Sequence, residues 1–121
     1  MKYVIALALA FVAIQKDPTA ADSSAALVAD GVAVYATVSN PTMYDAYIDG
    51  GTSAAGKVVL RDGDKTTSTI TVPSFGSVEL KAGGPFVLVT DLKSPLKAGD
   101  QIKVTLSTDG GATIVIAAVI K

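Results

Sequence analysis

The carboxylates of Asp62 and Asp64, on either side of Gly63, come closest in this sequence to a cation site, because Ca²⁺ prefers carboxylate and carbonyl oxygens. Known calcium loops are longer than this stretch and end in a glutamate, which is missing here. Aspartate and glycine also tolerate the backbone conformations of tight turns. The pattern therefore predicts a hairpin turn at this point, not a calcium site.

A second cluster combines aromatic and acidic side chains at Tyr44, Asp45, Tyr47 and Asp49. Tyrosine is enriched at protein interfaces. In a strand, alternation would place Tyr44 on the face opposite Tyr47 and Asp45. We expect one of two roles for Tyr44 and Tyr47, a protein-contact surface or ordinary packing at the edge of a sandwich.

The composition excludes several classes of function. The chain has no histidine and no cysteine, so it lacks imidazole bases, thiol nucleophiles, disulfides and the usual zinc or copper ligands. Ser74 and Ser77 have no evident base to activate them. The net charge of −1 provides no basic field for nucleic acid. The sequence predicts a protein that is not an enzyme, binds no nucleic acid and needs no cofactor.

From about Ala25 onward, short apolar stretches alternate with turn residues, which is typical of β-structure. A chain of 121 residues fits one domain, and about eight strands at this spacing favour a two-sheet Greek-key sandwich over a barrel. We expect this all-β domain to occupy residues 22–121. The predicted strands are residues 32–38, 43–49, 57–61, 66–72, 77–81, 86–90, 101–107 and 113–120.

The last predicted strand is apolar on both faces. Ile114, Ile116 and Ile120 share one face, and Val115 and Val119 share the other. Such a strand is either central in its sheet or covered by a partner. Val115 and Val119 are therefore candidate interface residues.

The N-terminus has the layout of an export signal, with Lys2 followed by an apolar run at residues 3–14. As a helix, this run rises about 18 Å, whereas the hydrocarbon core of a bilayer is about 30 Å thick. Its shortness favours a cleaved signal, but the weak cleavage site after Ala21 favours a retained anchor, and both remain open. We expect residues 1–21 to form a short hydrophobic signal or anchor helix, with Tyr3, Ile5, Leu7, Leu9, Phe11 and Ile14 in the membrane segment.

Two segments in the second half of the chain, VELKAGG at residues 78–84 and LKSPLKAGD at 92–100, resemble the periplasmic copper chaperones known as the PCuAC family. YATVSN at 35–40 and AAGKVVL at 54–60 are similar to its first half. The resemblance covers roughly residues 32–117. It implies an immunoglobulin-like, cupredoxin-like β-sandwich on the periplasmic side of the bacterial inner membrane.

The resemblance also implies copper(I) ligands, which in this family are histidines and methionines, donors that suit a soft cation. The positions of the family's His-x-Met pair fall on Phe86 and Leu88, and the position of an earlier histidine falls on Arg61. Met43 is the only methionine outside the N-terminus. We therefore expect a degenerate member of the family that binds no copper or other metal.

These observations leave two hypotheses for function. In the first, the chain is a non-catalytic accessory subunit of a larger membrane complex, such as a respiratory or photosynthetic one. Its partners would be other protein subunits and, through the N-terminal segment, the membrane. In the second, it is a soluble periplasmic binding or carrier protein whose signal has been removed.

Overall fold

The structure, a computed structural model, describes residues 18–121, which form strands and turns with no helix. None of these residues therefore lies in a helix that could cross a membrane. The hydrophobic helix predicted within residues 1–21, with its membrane segment at residues 3–14, falls almost entirely outside the described part. The ten strands are β1 (Thr19–Val28), β2 (Gly31–Ser39), β3 (Ala46–Thr52), β4 (Lys57–Asp62), β5 (Lys65–Thr66), β6 (Ile70–Val72), β7 (Ser77–Leu80), β8 (Pro85–Thr90), β9 (Gln101–Thr108) and β10 (Thr113–Val119).

The strands form two sheets that pack face to face. One sheet has the order β1-β2-β8-β4-β5, with β7 also paired to β2, and the other has the order β10-β9-β3-β6. All strand pairs within the sheets are antiparallel. The predicted all-β sandwich is confirmed.

The core follows from the alternation of apolar and polar residues along the strands. In β9, Ile102, Val104 and Leu106 are at most 3% exposed, and in β10 the same holds for Ile114 and Ile116. Successive side chains of a strand point to opposite faces, so these residues all face the opposite sheet. Each fully buried isoleucine or leucine contributes about 1.5–3 kcal/mol through removal of apolar surface from water.

The first strand, β1, was not predicted, and it begins at Thr19, inside the expected signal or anchor segment. Its residues are mostly exposed, apart from Ala25 at 1%, so it lacks the apolar alternation of a recognisable strand. β1 pairs with β2 in one sheet and bridges Ala25 to Ile120 beside the other sheet. The backbone N–H of Lys121 donates to the carbonyl oxygen of Ala25 at 2.9 Å. β1 thus closes one side of the sandwich.

The single strand predicted at residues 66–72 is instead two strands in different sheets. β5 pairs with β4, whereas β6 pairs with β3. Between them the N–H of Thr67 donates to the carbonyl oxygen of Leu60, and the Thr67 hydroxyl donates to the carbonyl oxygen of Thr69 at 3.1 Å. These local bonds turn the chain from one layer to the other, and the prediction of a continuous strand was wrong.

The third strand begins at Ala46 rather than at Met43, because the preceding loop is built around Asn40. Asn40 is 1% exposed, and its Nδ2 donates to the carbonyl oxygens of Tyr44 at 2.8 Å and Val72 at 3.0 Å. Its Oδ1 accepts hydrogen bonds from the backbone N–H and the hydroxyl of Thr42. These bonds curl residues 40–44 into a loop, which cannot at the same time extend β3.

The last strand, β10, is an edge strand and not a central one. Its ladder partner is β9 alone, and β1 lies beside its other edge through one isolated bridge. Ile114, Ile116 and Ile120 are buried as predicted. Val115 and Val119, at 50% and 49% exposure, face away from the core. Whether a partner covers these valines remains a prediction.

Candidate functional site

The three residues at the expected ligand positions, Arg61, Phe86 and Leu88, lie together on the outer face of the six-stranded sheet. Arg61 of β4 is directly opposite Phe86 of β8 in the antiparallel register. Phe86 and Leu88 share a face because they are two residues apart, and Val87 between them points into the core with no exposure. The fold therefore brings together three positions that are up to 27 residues apart in sequence (88 minus 61).

These residues line an open, mainly apolar cavity of about 370 Å³. On one side, the Tyr35 ring of β2 meets the Phe86 ring edge to face, with ring centroids 6.0 Å apart. Leu88 also lines the cavity, although it is only 4% exposed. The rim consists of three turns, which contribute Val28, Ala29, Asp30, Gly63, Asp64, Ala82 and Gly83. The sheet thus presents an apolar depression to its surroundings, not a flat polar surface.

Arg61 provides the cationic group beside this cavity. Its Nε is buried and has no hydrogen-bond partner, the only such side-chain atom in residues 18–121. A guanidinium N–H without an acceptor loses its hydration without compensation, at a cost of about 1–3 kcal/mol. An acceptor supplied from outside the described part of the chain would offset this cost.

The residues at the site do not fit copper(I). A guanidinium group stays protonated and offers no lone pair, and phenylalanine and leucine carry no donor atom. Met43, the remaining thioether of the described residues, lies in the β2–β3 loop, is 63% exposed and does not line the cavity. Within residues 18–121 no three histidine, cysteine, aspartate or glutamate side chains come together as a metal site. The site therefore offers an apolar surface with the Arg61 guanidinium beside it and the carboxylates of Asp30 and Asp64 at its rim.

The turn predicted at residues 62–64 is a two-residue hairpin between β4 and β5. Asp62 pairs with Lys65 in the register, and Gly63 has a φ of +65°. A two-residue hairpin with positive φ at its first central position favours glycine there, because glycine adopts this conformation without strain. Turn geometry accounts for this sequence.

The candidate interface residues are all exposed, but they do not form one patch. Tyr47, Val115 and Val119 share the outer face of the four-stranded sheet, where the polar outward-facing residues of β9 separate β3 from β10. Tyr44 lies in the β2–β3 loop at one end of the sandwich and is 73% exposed. The structure therefore assigns Tyr44 to a different surface from the other three residues.

Two exposed residues were missed as candidates for a contact surface. Phe75, in the turn between β6 and β7, is 73% exposed, and Met43 next to Tyr44 is 63% exposed. The sequence could have indicated Phe75 as a surface residue, because a large aromatic side chain is unusual in the turn-forming sequence Pro73-Ser74-Phe75-Gly76, where small or polar residues are usual.

The chain is similar to proteins of known families. The sequence model of the family described as "Putative lipoprotein LpqE-like" matches residues 7–120. A "Putative lipoprotein Lxx21020" of Leifsonia xyli subsp. xyli is 30% identical over 99 residues, which are 74% of this chain and 60% of that protein. The chain thus spans about three fifths of this relative's length.

Solved structures show the same fold. The "Copper-bound PCuAC domain from PmoF2" superposes with a TM-score of 0.71 at 19% identity, covering 84% of this chain and 90% of that one. The "Apo PCuAC domain from PmoF1" gives a TM-score of 0.71 at 22% identity, covering 84% of this chain and 91% of that one. The copper(I) form of DR1885 from Deinococcus radiodurans gives 0.68 at 26% identity, covering 82% and 74%. These similarities confirm the resemblance to PCuAC domains and their cupredoxin-like sandwich.

Proposed function

The chain belongs to the LpqE-like lipoprotein family, and we propose that it is a metal-free, non-catalytic accessory protein on the extracytoplasmic face of a membrane. The proposal has one main support, which is the replacement of the expected copper ligands by Arg61, Phe86 and Leu88 around a single cavity. A PCuAC-like sandwich without copper ligands keeps its shape and can act through contacts. We place these contacts on the outer face of the six-stranded sheet.

Attachment to the membrane would use the peptide chain itself. The family is described as lipoproteins, but the 121 residues contain no cysteine, so none of them can carry a thioether-linked lipid. The apolar run at residues 3–14, preceded by Lys2, is the remaining candidate in this sequence for holding the domain at the membrane. Export through this segment would place the sandwich outside the cytoplasm.

A copper titration with a reconstituted site tests the loss of metal function. The wild-type chain is expected to lose copper(I) to a competing chelator. A triple variant, Arg61→His with Phe86→His and Leu88→Met, places three soft or borderline donors around the same cavity and is expected to retain copper(I). Tight binding by the wild type would overturn the proposal that the protein is metal-free.

Extraction from native membranes with mild detergent, followed by native gel separation, tests the accessory role. We expect the chain to migrate with other subunits as a complex larger than its own 12.2 kDa. The variant Phe86→Ala, which opens the cavity, should weaken this association while the chain stays in the membrane fraction. Migration only as a monomer would contradict an accessory subunit.

A soluble carrier is the second candidate function, and the apolar cavity of about 370 Å³ is the observation that favours it. Clefts of roughly 300–1,000 Å³ are typical of small-molecule sites. A carrier would be released by cleavage of the signal. Mass spectrometry of the native protein distinguishes the two functions, since a mature mass starting near Asp22 together with a bound small molecule supports the carrier.

A further inference from the structure

Three large, exposed side chains lie on two loops at one end of the sandwich. This is the end at which the described chain begins, at Pro18. Met43 and Tyr44 lie in the β2–β3 loop, and Phe75 lies in the β6–β7 turn, with exposures of 63%, 73% and 73%. We infer that these three residues, here called the loop tip, insert into the interfacial layer of the membrane beside the N-terminal segment. The inference rests on the proposed membrane attachment and specifies how the domain is oriented.

The loop tip lies beside the point where the described chain begins. Pro18 and Tyr44 line one shallow cavity, and Thr19 and Phe75 line another. The 17 residues before Pro18 include the apolar run at residues 3–14. If this run is held in a bilayer, only a few residues separate it from Pro18, so this end of the sandwich must lie close to the membrane surface.

The two loops hold the tip in place through hydrogen bonds. The N–H of Phe75 donates to the carbonyl oxygen of Thr42 at 3.0 Å, which joins the turn to the β2–β3 loop. The N–H of Ser74 donates to Oδ1 of Asp45 at 2.9 Å. Because the loops are fixed before binding, insertion requires little further ordering of the backbone.

The backbone at Phe75 is strained in a way that packing does not compensate. Its φ is +52°, and the N–H of Gly76 donates to the carbonyl oxygen of Pro73, as in a turn that favours glycine at this position. A bulky residue there costs on the order of 1 kcal/mol, and an exposed ring gains little from contacts within the protein. Insertion of the ring into lipid would offset the cost, because phenylalanine and tyrosine partition well into the interfacial layer.

The charge of this end indicates the type of lipid. Asp45 and Asp109 line the cavity beside Tyr44, and no lysine or arginine lines either of the two cavities there. An anionic membrane would repel these carboxylates, so a zwitterionic surface suits the loop tip better. Phosphatidylcholine vesicles are therefore the appropriate probe.

Tryptophan fluorescence of the full chain in phosphatidylcholine vesicles tests this orientation, since the sequence contains no tryptophan. Phe75→Trp places a single reporter in the loop tip. Leu27→Trp is a matched control, because Leu27 is also exposed, at 46%, but lies near the other end of β1. From Thr19, beside the loop tip, to Leu27, the strand spans eight residues at about 3.3 Å each, or about 26 Å.

We expect brominated phosphatidylcholine to quench Phe75→Trp at least threefold more strongly than Leu27→Trp, with a blue-shifted emission for Phe75→Trp only. If Phe75→Trp does not fold, Met43→Cys carrying an environment-sensitive dye gives the same readout, because the chain has no other cysteine. Vesicle flotation distinguishes a failure of membrane attachment from a failure of loop-tip insertion. A chain that does not float overturns membrane attachment itself, whereas a floating chain with equally quenched or equally unquenched reporters overturns only the loop-tip insertion.

Discussion

Asn40 and Arg61 both bury a polar nitrogen, but the fold satisfies only one of them. The Asn40 amide donates to two carbonyl oxygens and accepts from Thr42, whereas Arg61 Nε has no partner. Buried polar groups in folded proteins are normally paired. Asn40 therefore has a structural role in fixing the β2–β3 loop, whereas Arg61 Nε keeps an unused hydrogen-bond donor beside the cavity.

Asn40→Ala is expected to destabilise the protein by about 2–4 kcal/mol, because it leaves several buried partners of the amide unpaired. Urea denaturation of the full chain measures this loss. Ser39→Ala, at the exposed neighbouring position, serves as the control and should change the free energy of unfolding by less than about 0.5 kcal/mol. Similar effects of both substitutions would contradict the structural role of the Asn40 amide.

At the scale of elements, β10 has one buried face and one exposed face. Its even-numbered residues from Ile114 to Ala118 are at most 2% exposed, and its odd-numbered residues are exposed. As an edge strand it is covered on the core face by the opposite sheet and on one edge by β9. On its outer face Val115 and Val119 are about half exposed, and their contact with a partner remains a prediction.

The two faces of β10 should respond differently to truncation. Ile116→Ala removes a fully buried side chain and should cost about 2–5 kcal/mol of folding stability. Val115→Ala, one residue earlier and half exposed, should cost less than about 1 kcal/mol. Thermal unfolding of the two variants measures this difference. A large loss of stability for Val115→Ala would mean that the valine already packs within the chain.

At the scale of the whole molecule, β1 connects the N-terminal segment to both sheets. A bulge at Asp22 divides β1. Before it, Thr19, Ala20 and Ala21 pair with β2, and after it lies the buried residue Ala25. Signal cleavage after Ala21 would remove only the first part of this strand. The fold is therefore compatible with either a retained or a cleaved N-terminus.

Truncated chains test the contribution of β1. A chain that starts at Asp22 keeps the Ala25 bridge to Ile120 and should remain folded, with a modest loss of stability. A chain that starts at Ala29 lacks β1 completely, leaves β2 without a partner on one edge, and should be largely unfolded. Circular dichroism with urea denaturation distinguishes them, and an unfolded 22–121 chain would contradict this division of β1.

The sequence by itself determined the features that depend on local chemistry. Alternating apolar residues in β9 and β10 predicted buried faces, and the hairpin at Asp62 was predicted from its turn residues. The absence of histidine and cysteine, with Arg61, Phe86 and Leu88 at the expected ligand positions, predicted the degenerate copper site. The buried faces and the hairpin follow from residue type and short-range spacing, whereas the ligand positions follow from the resemblance to the PCuAC family.

Only the tertiary structure decided how distant segments meet. It revealed β1, whose exposed residues carry no apolar pattern, and it placed β5 and β6 in different sheets. It brought Tyr35 against Phe86 beside Arg61, and it gathered Met43, Tyr44 and Phe75 at the end of the sandwich where residue 18 lies. Strand pairing in a sandwich joins residues far apart in the chain, and local pattern does not specify which strands pair.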